Sequence, residues 1–275
     1  MSSFGSRLED CFHSFGQLCI GIDPSGMQLQ SWNLPDSAQG AESFAMQIVD
    51  AADGQVGMIK TQVAFFEQYG PPGFTALSRV LLEARARGII TIADAKRGDI
   101  GSTMDGYSRA WLGAEAAFVC DALTVSPYLG PASLEQTIET ALSNDRGIFI
   151  LAATSNPEAT NLQAATSGAE SVANSVARFA ANYSGDNMGS IGLVVGATVT
   201  RENVGLKLEQ ISNVPILAPG FGAQGAELAR ARSLFGSASS NVICSVSRSV
   251  AGPTPVGLAD RVLAAKTELA IGFGL

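Results

Sequence analysis

Histidine is almost missing from this sequence of 275 residues, with His13 the only one. That excludes a histidine-built zinc site, and a serine triad would have to be assembled around His13, which precedes the first strand. Its place suits a surface or capping residue instead. Cysteine is also sparse: Cys11, Cys19, Cys120 and Cys244 are scattered, with no pair at metal-ligand spacing and no disulfide framework. Cys120 and Cys244 fall in predicted strands, where a thiol packs as a small buried group, and the set fits a reducing cytoplasm. No apolar run is long enough to span a bilayer. The opening MSSFGSRLEDCFHSFG carries charges early and lacks the apolar core of a signal peptide, so no membrane partner is expected. Positive charge is outnumbered, 17 Lys and Arg against 25 Asp and Glu, and the net −8 gives no field for general nucleic-acid binding. A local basic pocket for an anionic small molecule is compatible with that balance.

What the chain does have is apolar content, 46% of residues, enough for a large packed core. It is arranged in short runs: LCIGID (18–23), GMIKTQ (57–62), GIITIADA (88–95), FVCDALTV (118–125), GIFILAAT (147–154), IGLVVGAT (191–198), PILAPG (215–220) and NVICSVSR (241–248). Between them, stretches such as SFAMQIVDAADG and GFTALSRVLLEARARG space apolar residues at three and four and end in glycine, as helices do. Near-continuous apolar strands alternating with amphipathic helices mean a parallel sheet covered by helices. Eight units is the number that closes a (β/α)8 TIM barrel, with a doubly wound open sheet as runner-up. The expected organisation is one α/β barrel domain over residues 1–275, with segment 1–17 ahead of the first strand. SNPEATNLQAATSGAESVANS, after the fifth strand, reads as an active-site loop running into a helix.

Charge gathers where strands end. The third run continues as TIADAKRGDIGSTMDGY, placing Asp94, Lys96, Arg97 and Asp99 within six residues. Asp94 and Lys96 are two apart and so share a strand face. The first strand ends at Asp23, and Lys60 stands near the end of the second. Chemistry in such barrels collects at the C-terminal ends of the strands, so these four should meet at one rim with Asp99 just beyond. A structural salt-bridge plug is the competing reading, but desolvating several ions gains little over apolar packing. Flanked by carboxylates, the Lys96 ammonium should stay protonated, able to stabilise a carbanion and then donate a proton to it. Magnesium held by Asp94 and Asp99 is disfavoured by the lysine between them.

Gly220, Gly222 and Gly225 spell a dinucleotide-type G-x-G-x-x-G in LAPGFGAQGAE, yet the next strand ends in Arg248 where that fold needs an acid. A glycine-rich loop offering backbone N–H groups to phosphate fits better, with Gln224 and the planar guanidinium of Arg248 beside it.

DAKRGDIGST fits the D-x-K-x-x-D-I signature of orotidine 5′-phosphate decarboxylases, and LCIGIDPS, IKTQVAFFEQYG, TVSPYLG, LAATSNPE, PGFGAQG and SRSV resemble that family's bacterial long-chain branch in the right order. The resemblance implies a homodimer of barrels converting orotidine 5′-phosphate to UMP in pyrimidine biosynthesis, without metal or cofactor. By that resemblance Asp94 would crowd the substrate carboxylate, and Lys96 would stabilise and protonate the C6 carbanion. Lys60 and Asp23 would hold the ribose, with Lys60 also orienting Asp94. Asp99 and Thr103 would act across the dimer interface, Ser155 would close over the pyrimidine, and Gln224 and Arg248 would grip the phosphate. Thr61 and Ala226 depart from that pattern, where proline and glycine are usual, without altering a charged or donor group. The alternative within the same superfamily is a magnesium-dependent sugar-phosphate decarboxylase or aldolase.

Overall fold

The computed structural model describes residues 2–274. Eight parallel strands close into a barrel: β1 (Leu18–Ile22), β2 (Met58–Gln62), β3 (Ile90–Arg97), β4 (Ala122–Val125), β5 (Gly147–Ala153), and then β8 (Ile191–Val195), β9 (Ile216–Pro219) and β10 (Val242–Val246), which returns to β1. Between β5 and β8 a separate antiparallel hairpin forms from β6 (Thr166–Ser167) and β7 (Glu170–Ser171). Each expected strand is present, though several start later than the apolar run that announced them. The fourth begins at Ala122, so Cys120 lies ahead of it rather than inside it, and is buried there.

The helices are α1 (Phe4–Phe15), α2 (Gly26–Ser31), α3 (Ala38–Ala52), α4 (Ala64–Glu67), α5 (Gly70–Ala86) and α6 (Gly101–Trp111) in the first half. The second half adds α7 (Glu135–Ser143), α8 (Thr160–Ala164), α9 (Val172–Ala181), α10 (Ala231–Phe235), α11 (Arg248–Ala251) and α12 (Leu258–Phe273). Among the described residues no helix is long and apolar enough to cross a membrane.

Two apolar cores result. The larger lies between sheet and helices, where α3 and α5 lay Phe44, Ile48, Leu77 and Leu81 against the outward faces of the strands. The smaller fills the barrel and includes Cys19, Met58, Ile92, Ala122, Phe149, Leu217 and Ile243. Side chains alternate across a strand, so the inward residue one layer above Met58 is Lys60, and above Ile92 it is Asp94. The charged layer thus rests on an apolar floor. From below, α1 closes the barrel. Ser3 caps it by accepting from Ser6 N–H. Phe4 reaches inside to meet Phe149 edge-on at 6.0 Å, in space that a side chain on Gly147 would take.

Candidate active site

At the C-terminal ends of the strands, Asp23, Lys60, Asp94 and Lys96 come together in a cup of about 430 Å³. Asp94 is its centre. Its Oδ1 accepts from Lys96 Nζ at 2.6 Å and from the Thr124 hydroxyl at 2.9 Å, and its Oδ2 accepts from Lys60 Nζ at 3.1 Å. Lys60 Nζ also stands 4.0 Å from Asp23 Oδ1 and 3.4 Å from Gln62 Oε1. Lys60 is buried, whereas the Lys96 side chain is 45% exposed and faces the open cup.

Burial alone would push both buried ions toward neutrality. For Asp94 that penalty is outweighed by the charges of Lys60 and Lys96 and the bonds from Lys96 and Thr124, which hold its carboxyl far below the usual range. For Lys60 burial is likewise the largest single effect, but Asp94 and Asp23 together hold its ammonium above the ordinary lysine value. The cup therefore carries fixed, unlike charges at neutral pH.

Strand alternation explains Asp94 but not Lys96. Between Ala93 and Arg97, three residues of β3 stand opposite one residue of β4, Thr124. This is a bulge of the kind that re-aims side chains at barrel rims. Lys96 absorbs it with φ of 49°, in the left-handed region, while its N–H donates to Thr124 Oγ1 at 2.9 Å. The sequence argument that residues two apart share a face reaches the right pair for an incomplete reason. The bulge, not regular pleating, turns the ammonium back onto Asp94.

Across the cup, the loop after β9 folds on itself: Gly222 N–H donates to Ala226 O, and Gly225 N–H to Gly222 O. Gly220, Gly222 and Gly225 have φ of 115°, 71° and 102°, which L side chains resist. The two glycine N–H groups are thus consumed within the loop. Ala223 and Gln224, at the tip and both in the cup wall, have N–H groups that make no backbone hydrogen bond among the described residues. Arg248 begins α11 at the end of β10, exposed and lining the same cup. Ser155 and Asn156 form the wall between, the Ser155 hydroxyl donating to Gln224 Oε1 at 3.4 Å. The segment after β5 is more ordered than a loop. Gln163 of α8 donates to Thr154 Oγ1 and accepts from Thr154 N–H, pinning the turn that carries Ser155.

Asp99 and Thr103 stand apart. Asp99 accepts from Ile100 N–H at 2.8 Å, and Thr103 is exposed on α6; neither lines the cup. Sequence reasoning passed over Thr124, Gln62, Asn156 and Ser245, which do contact or wall the charges. The available signal for Thr124 was its position as the one polar residue of an apolar strand, next to its C-terminal end.

Among the described residues no three His, Cys, Asp or Glu side chains converge to hold a metal ion. Both oxygens of Asp94 are already bonded to ammoniums.

A closed parallel barrel with an ionic cup at its C-terminal face and a glycine loop beside an arginine defines an enzyme for small phosphorylated substrates. Residues 16–255 match the profile of the orotidine 5′-phosphate decarboxylase / HUMPS family. The orotidine 5′-phosphate decarboxylase of Streptomyces coelicolor is 44% identical over 256 residues, 91% of this chain and 90% of that one. That of Salinispora tropica is 43% identical over 274 residues, covering 96% and 97%. A solved Streptomyces avermitilis chain superposes with a TM-score of 0.93 at 40% identity, covering 100% of this chain and 97% of the other. The Leishmania donovani OMP decarboxylase gives 0.75 at 28%, covering 97% and 99%. The chain belongs to the orotidine 5′-phosphate decarboxylase / HUMPS family.

Proposed function

We infer that this chain is a carboxy-lyase that decarboxylates orotidine 5′-phosphate to UMP in pyrimidine biosynthesis. The observation that carries the reading is Asp94 held ionised between Lys60 and Lys96 in an apolar-floored cup. Relatives 43–44% identical along nearly the whole chain bear the decarboxylase name. The magnesium-dependent alternative is set aside, because a cation would have to displace the ammoniums already on Asp94.

In this reading the substrate carboxylate lies toward Asp94, and Lys96 Nζ lies beside the carbon it leaves. The C6–carboxylate bond breaks, carbon dioxide departs, and the electron pair stays on C6. The adjacent ammonium stabilises that pair electrostatically and then transfers one N–H proton to it. Lys96 is left neutral and regains a proton from water. Lys60 fixes Asp94 and, with the Asp23 oxygen that lacks a hydrogen-bond partner among the described residues, faces the ribose hydroxyls. Arg248, Gln224 and the tip N–H groups hold the phosphate, far from the reacting carbon. Such remote binding energy can draw the Ser155 turn over the pyrimidine and exclude water.

Asp99 and Thr103, outside the cup, act in this reading on the site of a second copy. Ile100, next to Asp99, and Tyr128 and Leu129, on the loop after β4, are exposed apolar residues that would be covered in a homodimer. Mixing Lys96→Ala and Asp99→Ala chains should then restore part of the activity, and well-folded hybrids without recovery would remove that assignment. Four free, buried cysteines suit a cytoplasmic enzyme. The direct test is chelator-treated protein incubated with orotidine 5′-phosphate while its ultraviolet absorbance is followed. Conversion to UMP, indifferent to the chelator, is expected. Unchanged substrate, or activity restored only by magnesium, would overturn the reading.

A further inference from the structure

Four residues other than glycine have positive φ among those described: Asn33, Lys96, Asp145 and Asn213. Asn and Asp enter the left-handed region readily because their short polar side chains bond locally; a lysine has no such help. Strain of this kind persists only where the surroundings over-determine it. Lys96 is half exposed and, among the described residues, its ammonium bonds only Asp94, so the constraint must reach it through the backbone.

The Thr124 hydroxyl is the group in position to do so. It accepts from Lys96 N–H at 2.9 Å and donates to Asp94 Oδ1 at 2.9 Å. With the 2.6 Å bond from Lys96 Nζ to the same oxygen, the ring closes: backbone amide, hydroxyl, carboxylate, ammonium. The polarity of that ring is fixed. A backbone N–H can only donate and an ionised carboxylate can only accept, so the single hydroxyl proton must point at Asp94. Thr124 is fully buried on β4, opposite the three bulged residues of β3, and its branched Cβ restricts the rotamer.

We propose that Thr124 is a positioning residue for the decarboxylation, holding the Lys96 backbone in its left-handed turn and Asp94 Oδ1 in register, so that the ammonium stands where the proton is needed. The inference rests on the decarboxylase reading above, and concerns a residue that need not touch the substrate. Loss of the hydroxyl frees the Lys96 amide from its tether and lets the bulge relax toward regular pleating, which swings the ammonium off its line to the reacting carbon. An ångström of misplacement at a reacting group costs about 100-fold in rate. Binding of the nucleotide, which depends on Arg248 and the glycine loop across the cup, should be little changed.

The experiment compares the native chain with Thr124→Val, which keeps the shape without the hydroxyl, and Thr124→Ser, which keeps the hydroxyl without the methyl. kcat and KM for orotidine 5′-phosphate are measured, with UMP affinity and thermal unfolding as controls. Thr124→Val should lose about 10- to 100-fold in kcat, with KM and UMP affinity within roughly threefold, and Thr124→Ser should recover most of the rate. A valine chain with near-native kcat overturns the proposal, as does a serine chain that falls as far as the valine chain, since packing of the methyl would then be the cause. A valine chain that fails to fold overturns it too, because the hydroxyl would then serve folding rather than positioning. A native chain inactive on orotidine 5′-phosphate would instead defeat the decarboxylase reading itself, and the proposal with it.

Discussion

At the upper rim of the barrel Asp94 lies between Lys60 and Lys96; at the opposite end Asp121, just before β4, lies between Arg7 of α1 and Arg146 ahead of β5. Each carboxylate is almost buried, and each is bonded to a threonine hydroxyl of the neighbouring strand. The Thr124 hydroxyl of β4 donates to Asp94 of β3, and the Thr91 hydroxyl of β3 donates to Asp121, in front of β4. The differences lie in the cations and the backbone. Below, Arg7 donates to Asp121 at 2.5 Å and to Asp145 O at 2.8 Å, so a planar guanidinium ties the closing helix to two segments at once. Guanidinium protons do not transfer at accessible pH, and the fork is suited to holding parts together. Above, both cations are lysines, one of them half exposed and mounted on a strained turn. An ammonium is a point charge on a flexible stem and can give up a proton. The same arrangement of acid, two bases and threonine thus suits cohesion at one end and chemistry at the other, in line with the division of labour between the two faces of such barrels.

The largest expected effect breaks the upper cluster. Lys96→Ala should lower kcat by at least about 10⁴-fold, at the top of the range for a single proton-transfer group, while UMP affinity is largely kept. Turnover of orotidine 5′-phosphate and UMP titration measure the two quantities. Activity close to native would mean that the upper cations hold the barrel together as the lower ones do.

Next in size is the lower cluster. Asp121→Asn keeps the shape but removes the charge between Arg7 and Arg146, leaving the largely buried Arg146 guanidinium without its counter-ion. Burial already pulls the pKa of Arg146 below the usual arginine value, with Asp121 opposing that pull. Breaking such a pair costs about 2 to 4 kcal/mol here, toward the low end because Arg7 is a third exposed. Calorimetry should show Tm lower by about 5 to 10 °C, with kcat of the folded protein within twofold of native. A large loss of kcat at unchanged Tm would erase the distinction between the ends.

Much of this contrast was readable in the chain before folding, though unevenly. Eight apolar runs at regular spacing gave the barrel, and the charges at the ends of 18–23, 57–62 and 88–95 gave the upper cluster, because strand alternation and the C-terminal rule act locally. The lower cluster was hidden because Arg7, Asp121 and Arg146 are far apart in sequence and meet only when α1 folds under the barrel. Segment 1–17 showed no strand or motif, and its helix is selected by packing of Phe4 and Leu8 beneath the sheet. The left-handed turn at Lys96 was equally hidden, since a bulge depends on what the neighbouring strand offers opposite. The dimer roles expected of Asp99 and Thr103 rest on resemblance alone, as neither residue lines the cup.

The pH response should sharpen the comparison at smaller amplitude. Asp94 has its carboxyl pKa lowered by folding, so its contribution to stability is complete above the ordinary 3.8 and is lost only as pH falls through the lower folded value. Lys60 has its value raised, so its contribution is complete below the ordinary 10.5 and is lost as pH climbs through the higher folded value. Neither group should therefore give a slope in Tm between about pH 5 and 9. Any slope in that window that disappears in Lys60→Arg would show that the upper lysine titrates where this charge balance forbids it.

The smallest effect sets two threonines against each other. Thr124 bonds through its hydroxyl in both directions, whereas Thr61, next to Lys60 on β2 and fully buried on the outward face, has a hydroxyl with no hydrogen-bond partner among the described residues. An unbonded buried hydroxyl costs free energy that a methyl group of like shape does not. Thr61→Val should therefore stabilise the protein by up to about 1 kcal/mol, raising Tm by roughly 2 to 4 °C without changing kcat. The identical exchange at Thr124 removes two bonds from the charged cup and should act on rate. Measured side by side, the pair separates a hydroxyl that folding merely tolerates from one that the cup depends on; equal responses in Tm and kcat at both positions would show that burial alone governs them.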